Sequence, residues 1–319
     1  MVNVSNYVLI IGSSNTDLNI YCKKFPSPGE TVTGGTFKQF LGGKGANQAV
    51  ASVRSGAKTI FMCKIGADLY GDEMLSQLAK EGINMDYIAR DPKISSGVAF
   101  ILIDEKGENM ISVAPGANFL FSPEDIRINA EIIRNAKILV VQMEIPIETI
   151  REIFIIASES NVIKILNPAP LKPIPPDIFK SIDILIPNKG ELYQLYSFLG
   201  FKDLKIKGKQ KILKILKSIS TLGLKYIITT LGNKGSIIYS KDGNDIIEVP
   251  APNVETIDTV GAGDCFIGVF ACKLCEGETV VNAVKYATIA SSIAVTRRGA
   301  QKSMPFLKEI RTKFKENYN

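Results

Sequence analysis

The sequence predicts an α/β fold: a mostly parallel central sheet covered by helices on both faces, with a small second β-sheet beside it. Three observations carry that prediction. Compact β-rich apolar runs recur along the chain, and most are separated by helical patterns, which is the rhythm of βαβ units. Two stretches of antiparallel character interrupt the rhythm. Finally, 319 residues with 45% hydrophobic content can bury one large core, and α/β domains reach that length undivided.

In chain order, Val8–Ile11 within "YVLIIG" is a short apolar strand. Thr16–Phe37 carries Pro26, Pro28, Gly29, Gly34 and Gly35 among short alternating strands, and a helix follows over Gly45–Arg54. Ile60–Lys64 reads as a strand and Gly71–Glu81 as a helix. "GVAFILIDEKGENMISVAP" reads as a hairpin turning at Asp104–Gly107. With Thr16–Phe37 it can form the small sheet, and two such inserts flanking a glycine-rich loop suggest a lid. Ser122-Pro123-Glu124-Asp125 is a helix start, with a capping serine, proline at the first position and acids in the first turn. Ile138–Val141, Val162–Leu166, Ile182–Ile186 and Tyr226–Thr230 are further strands of the main sheet.

The net charge of +6 comes mostly through lysine, densest in "KDLKIKGKQKILKILK" from Lys202 to Lys217. Ile212, Leu213, Ile215 and Leu216 between the lysines suit an amphipathic helix with a solvated outer face. No aromatic residues interleave to stack on bases, so a nucleic-acid partner is not expected. No apolar run reaches the 18 residues of a membrane span, and no secretory signal opens the chain. A cytoplasmic protein is expected, with a nuclear pool open to it in a eukaryote. The Asn3-Val4-Ser5 sequon is then accidental. The five cysteines do not make a disulfide framework, and Cys265, Cys272 and Cys275 pack in one apolar helix. Histidine is absent altogether. That excludes a Ser-His-Asp triad, a histidine base and a histidine zinc site, and leaves carboxylates, lysines or bound cations to do any chemistry.

Two glycine clusters mark the candidate site. In "FLGGKGANQAVASVRSG", Gly42-Gly43-Lys44-Gly45 is neither a Walker A loop nor a dinucleotide fingerprint. Its bare backbone admits phosphate, sugar or only another helix, and Asn47 and Gln48 add polar groups to the first helical turn. In "TIDTVGAGDCFIGVFACKL", Gly261-Ala262-Gly263 leads directly into an apolar helix whose first turn carries Asp264. Unpaired N–H groups at a helix start make an anion site. Asp264 suits a cap, but a carboxylate beside a phosphate cradle also suits removal of a proton from an attacking hydroxyl.

Nearly the whole chain resembles the PfkB-type carbohydrate kinase family, in its ribokinase branch. The motifs are "IGSSNTDLNI", "FPSPGETVTG", "FLGGKGANQAVA", "KIGADLYGDEM", "GENMISVAPGAN", "VVQMEIP", "LNPAP", "IPNKGE", "TTLGNKGS", "DTVGAGDCFIG" and "AVTRRGAQKSMP". The resemblance implies a three-layer ribokinase-like fold: one domain over 1–319, with a β-lid from inserts at about 14–38 and 95–115. It implies dimers formed through the lids. It places Asn15, Asp17, Gly43, Lys44, Asn47 and Glu144 on the sugar, which would answer the question raised by the first glycine cluster. Gly261, Ala262 and Gly263 become the anion hole and Asp264 the catalytic base. Thr230, Leu231, Gly232, Asn233, Lys234 and Gly235 become the nucleotide loop, with Thr288 near the adenine where a bacterial relative has histidine. Asn188 and Glu191 organise Mg²⁺ through water. Asp258 and Ser303 supply side chains, and Val260, Val295, Arg298 and Ala300 carbonyls, to a K⁺ site. The expected reaction is ATP-dependent phosphorylation of D-ribose at O5. Deoxyribose or fructose kinases are the alternatives within the family, and a silent sugar sensor the alternative outside it.

Overall fold

The computed structural model describes residues 6–202, 205–243 and 246–318. The sequon at 3–5 lies outside them. Its strands are β1 (Val8–Ile11), β2 (Asn15–Tyr21), β3 (Thr36–Gly42), β4 (Thr59–Gly66), β5 (Asn84–Asp91), β6 (Gly97–Ile103) and β7 (Asn109–Ala114). They continue with β8 (Ile138–Val141), β9 (Ile163–Leu166), β10 (Ile184–Leu185), β11 (Tyr226–Thr230), β12 (Ser236–Ser240) and β13 (Ile246–Val249). The helices are α1 (Lys44–Arg54), α2 (Leu69–Lys80), α3 (Pro123–Ile128), α4 (Ala130–Arg134), α5 (Ile147–Ala157) and α6 (Lys189–Phe198). After them come α7 (Gly208–Ser220), α8 (Ala262–Glu276), α9 (Val280–Ala294) and α10 (Leu307–Tyr318).

Nine strands form the main sheet in the order β13-β12-β11-β10-β9-β8-β1-β4-β5. From β11 to β5 every pairing is parallel, and only β12 and β13 pair antiparallel at one edge. The centre is buried on both faces because successive strand residues point opposite ways. In β1, Leu9 and Ile11 enter the layer packed by α3 to α7, while Val8 and Ile10 enter the layer packed by α1, α2, α8, α9 and α10. The expected alternation thus becomes three layers.

The second sheet has the order β3-β2-β6-β7, with β2 and β6 parallel between antiparallel outer partners. One of its outer strands, β3, differs from expectation. The partner of β2 lies at Thr36–Gly42 and ends at the glycine turn, rather than within 16–37. The hairpin over β6 and β7 lies as read, turning with Gly107 N–H donating to Asp104 O at 3.0 Å. The strand expected at Ile182–Ile186 shrinks to Ile184–Leu185. A 3₁₀ turn over Ile178–Ser181 precedes it and Pro187, which has no N–H for the ladder, follows it. Of the lysine-rich segment, residues 203 and 204 lie outside the described residues, and the part from Gly208 on belongs to α7, which buries Ile212, Ile215, Leu216 and Ile219.

Candidate active site

The first glycine cluster places α1. Gly43 caps the helix at φ 84° and ψ 130°, a backbone state that side chains rarely adopt. Its Cα passes so close to the β1–β2 crossover that a Cβ would lie 2.7 Å from Asn15 N and 2.8 Å from Ser14 Cα. The first turn of α1 therefore sits directly against the strand that carries Asn15 and Asp17. The second cluster places α8, with Gly261 as its left-handed cap. The two helices cross at Gly268, where a Cβ would lie 2.4 Å from Gln48 O and 2.6 Å from Ala51 Cβ. Only glycine permits that approach, which is what brings side chains from α1 onto Asp264.

Asp264 is 7% exposed and both of its oxygens are held. Asn47 Nδ2 donates to Oδ2 at 2.9 Å and Gln48 Nε2 to Oδ1 at 3.0 Å. Gln142 fixes the direction of Gln48 by donating to its Oε1 at 2.7 Å, and Gln48 Nε2 also reaches Asn167 Oδ1 at 3.2 Å. Burial pushes the Asp264 carboxyl above its ordinary range, against the pull of Lys44, Asn47 and Gln48. A carboxylate held this way accepts a proton more readily than a solvated one.

Lys44 is the cation of the site. Burial alone would lower its pKa, but the carboxylates of Asp264, Glu144, Glu191 and Asp17 together hold it above the usual value. Asp17 is pushed up to about 7, first by burial and then by Glu144 and Asp264, with Lys44 pulling the other way. Glu144 takes the Lys44 backbone N–H at 3.0 Å and the Ser13 hydroxyl, so it also fixes the start of α1.

Two cavities meet beside Asp264; Lys44 and Asp264 line the smaller, and Asn15, Asp17, Asn47 and Glu144 are not among the lining residues of either. The smaller, about 230 Å³, is lined by Lys44, Asn167, Asn188, Glu191, Gly261, Gly263 and Asp264 among others. The larger, about 670 Å³, is lined by Gly232, Asn233, Gly235, Asn253, Phe266 and Thr288 among others. Thr230, Thr259 and Gly263 line both, so the start of α8 forms the seam between them. In the loop expected on the nucleotide, Leu231 instead packs towards the core and Lys234 is exposed. Thr288 is buried against the larger cavity, and its hydroxyl has no hydrogen-bond partner among the described residues. Ala262 N–H donates to Thr259 O at 3.2 Å, so the expected anion hole narrows to the N–H groups around Gly261 and Gly263.

Asn188 and Glu191 form a reciprocal capping box on α6: Glu191 N–H donates to Asn188 Oδ1 at 2.9 Å and Asn188 N–H to Glu191 Oε2 at 2.7 Å. Glu191 Oε1 is left towards the smaller cavity, and burial raises the carboxyl's pKa. One free carboxylate oxygen at the cavity suits an ion that keeps most of its waters. Asp258 bridges its own turn, accepting Val260 N–H at 2.9 Å, to the 295–303 segment, accepting Gly299 N–H at 2.8 Å. Val295 O and Ala300 O already accept bonds from Asp258 N–H (3.1 Å) and the Ser303 hydroxyl (2.8 Å). The Asp258 carboxylate and the Val295 and Ala300 carbonyls thus belong to one hydrogen-bonded turn, and Arg298, expected to add its carbonyl, is exposed.

Sequence reasoning marked Gln48 only as a polar group of the first turn beside Asn47, without linking it to Asp264, and assigned no role to Asn167 or Thr259. The signal for Gln48 was its polarity in an otherwise apolar helix, and for Asn167 its place at the end of an apolar strand.

The pattern of the pfkB family carbohydrate kinases matches residues 5–307. The chain belongs to this family. As a pfkB-family kinase it has relatives along its whole length. It is 36% identical to the ribokinase of Staphylococcus aureus (strain COL), over 96% of this chain and 99% of that one. It is 34% identical to the deoxyribokinase of Salmonella typhi, over 95% and 97%. Among solved structures, Arabidopsis thaliana ribokinase complexed with ribose and ATP superposes with a TM-score of 0.90 at 30% identity, covering 97% of this chain and 98% of that one. The three-layer fold is therefore the ribokinase-like fold.

Proposed function

We propose that this kinase transfers the terminal phosphoryl group of ATP to O5 of D-ribose, giving ribose 5-phosphate and ADP. The observation that carries the reading is Asp264, which lines the smaller cavity next to Gly263, where the two cavities meet, with both oxygens held from α1. ATP takes the larger cavity, against the Thr230–Gly235 loop and Thr288, and ribose lies beside Asn15, Asp17, Lys44, Asn47 and Glu144. Asp264 accepts the O5 proton as that oxygen attacks. Lys44 and the N–H groups at the start of α8 face the charge that moves to the transferred group. Asn188 and Glu191 would hold Mg²⁺ through water, and bound Mg²⁺ would supply charge neutralisation on the phosphates. K⁺ against Asp258 and Ser303, with carbonyls from Val260, Val295, Arg298 and Ala300, would fix the loop before α8.

A second sugar has specific support, since a ribokinase and a deoxyribokinase are almost equally similar to this chain. An ADP-release assay over pentoses, 2-deoxyribose, hexoses, nucleosides and phosphosugars decides. A site built to pair hydroxyls rejects analogues that lack them, so D-ribose should give the highest kcat/KM. Any other acceptor ahead by tenfold or more overturns the ribose assignment. The same assay at constant ionic strength tests the ion. Activity should rise several-fold in K⁺ over Na⁺, and Asp258→Asn should blunt the rise; equal rates in K⁺, Na⁺ and a large organic cation would leave Asp258 a turn residue.

The small sheet acts as the lid in this reading, excluding water that would hydrolyse ATP. It also exposes Phe37, Phe100, Met110, Ile111 and Val113. Phe37, Phe100 and Met110 share one side of that sheet, whereas Ile111 and Val113 lie on the other, with Asn15 and Asp17. The first side supports a homodimer formed through the lids, and a monomeric sedimentation coefficient at micromolar concentration would exclude it.

A further inference from the structure

Asn118 is 2% exposed and sits where the small sheet joins the main body. Its Oδ1 accepts the Ser14 N–H at 2.9 Å. Its Nδ2 donates to Ser14 O at 3.1 Å, Pro115 O at 3.0 Å and Asn15 Oδ1 at 2.8 Å. Ser14 leads into β2 and Pro115 follows β7, so one side chain ties the entry of the sheet to its exit. The row at this root is otherwise bare, because Asn15 pairs with Gly42 on one side and Gly97 on the other. Neither cross-strand neighbour offers a side chain to orient it.

The direction of both amides follows from their partners. A backbone N–H only donates and a carbonyl only accepts, so Ser14 fixes which end of Asn118 is oxygen. The amine of Asn118 then faces Asn15, and only the oxygen of Asn15 can meet it. Asn15 Nδ2 has no acceptor among the described residues and lies on the same strand face as Asp17, two positions on.

We propose that Asn118 is a positioning residue: it presents Asn15 Nδ2 as a donor beside the Asp17 acceptor, so that the pair reads neighbouring hydroxyls of a polyol, and it couples that reading to the seating of the small sheet. The inference rests on the sugar-kinase reading above. A ligand lacking one hydroxyl leaves Nδ2 unpaired, which makes the pair a discriminator and not only a source of affinity.

The test is a double-mutant cycle on ribose KM and on ribose affinity by calorimetry, with Asn118→Asp and Asn15→Ala. Asn118→Asp keeps the oxygen that accepts Ser14 N–H and turns the donor towards Asn15 into an acceptor. It should raise ribose KM about tenfold, the size of one lost hydrogen bond, and leave ATP KM within about twofold. In the Asn15→Ala background the same change should do almost nothing, because its route is gone. Additive effects, or an unchanged ribose KM, overturn the proposal while ribose turnover by the parent keeps the sugar-kinase reading standing. A parent that phosphorylates no sugar overturns that reading itself. Asn15→Asp needs no change at 118: it keeps an oxygen facing Asn118 and exchanges the outward donor for an acidic acceptor beside Asp17. It should raise ribose KM about tenfold at an unchanged Tm, and a normal ribose KM overturns the assigned direction of Asn15.

Discussion

Asp264→Asn is expected to lower kcat by about 10²–10⁴-fold, the usual cost of losing a general base, while ribose and ATP still bind. The substitution keeps the size and the capping ability of the side chain. One of its two atoms becomes a donor and would face Asn47 or Gln48, but Asn47 Oδ1 is buried without a partner among the described residues, so Asn47 can turn to accept it. The fold should therefore survive, and it should survive with no loss of Tm. Burial raises the Asp264 pKa, so the folded chain binds that proton more tightly than the unfolded chain does. Stability from this group then falls as pH rises through the window between the unfolded and folded pKa values, and at neutral pH the charge is a cost. Removing it should leave Tm equal or higher, the common exchange of stability for activity at a working site. Turnover, calorimetric binding of both substrates and thermal melting are the three measurements. Near-normal kcat would remove Asp264 from the role of base.

This coupling explains which parts of the site could be read from the sequence. Gly261-Ala262-Gly263-Asp264 was legible because glycine, cap and acid are contiguous, and the geometry of a helix start follows from local chemistry. The main sheet was legible at β1 and β8, whose residues are all apolar, and at β9 and β11, which are compact runs rich in isoleucine. Gln48 was noticed as a polar group of the first turn, but its hold on Asp264 was not legible, because that contact spans 216 positions of sequence and depends on the Gly268 crossing. Asn118 hid for the same reason, with its partner Ser14 lying 104 positions away. The β3 strand "TFKQFLG" is exposed or half-exposed except for Gly42, so it carries no alternation to betray it. The edge strands β12 and β13 were missed although β12 is mostly buried. "SIIYS" follows a glycine-bearing loop without an intervening helix, which breaks the βαβ rhythm used to find the others.

Gly43→Ala tests whether that bare turn is a working part, and it is expected to lower kcat/KM about a hundredfold. The residue sits at φ 84° and ψ 130°, so any side chain is strained there, by about 1–3 kcal/mol. The new methyl also has nowhere to go. Its neighbours would be Asn15 N at 2.7 Å, Ser14 Cα at 2.8 Å and Ser13 O at 3.0 Å, all backbone atoms of the crossover between β1 and β2. No rotamer change relieves contact with backbone, so α1 must back away from β2. Lys44, Asn47 and Gln48 move with it, away from Asp264 and from Asn15 and Asp17. A displacement near 1 Å costs about 10² in rate when reacting groups must be aligned. Gly29→Ala supplies the control, because Gly29 has φ 82° but nothing within 4 Å of its would-be Cβ. It carries the conformational strain without the collision, and should lower Tm slightly at unchanged kcat/KM. Should Gly43→Ala behave like Gly29→Ala, the close approach would be a tolerance of the fold and the sugar side would not depend on it. A hundredfold loss confined to Gly43→Ala would make the absence of a side chain at this turn a requirement of catalysis.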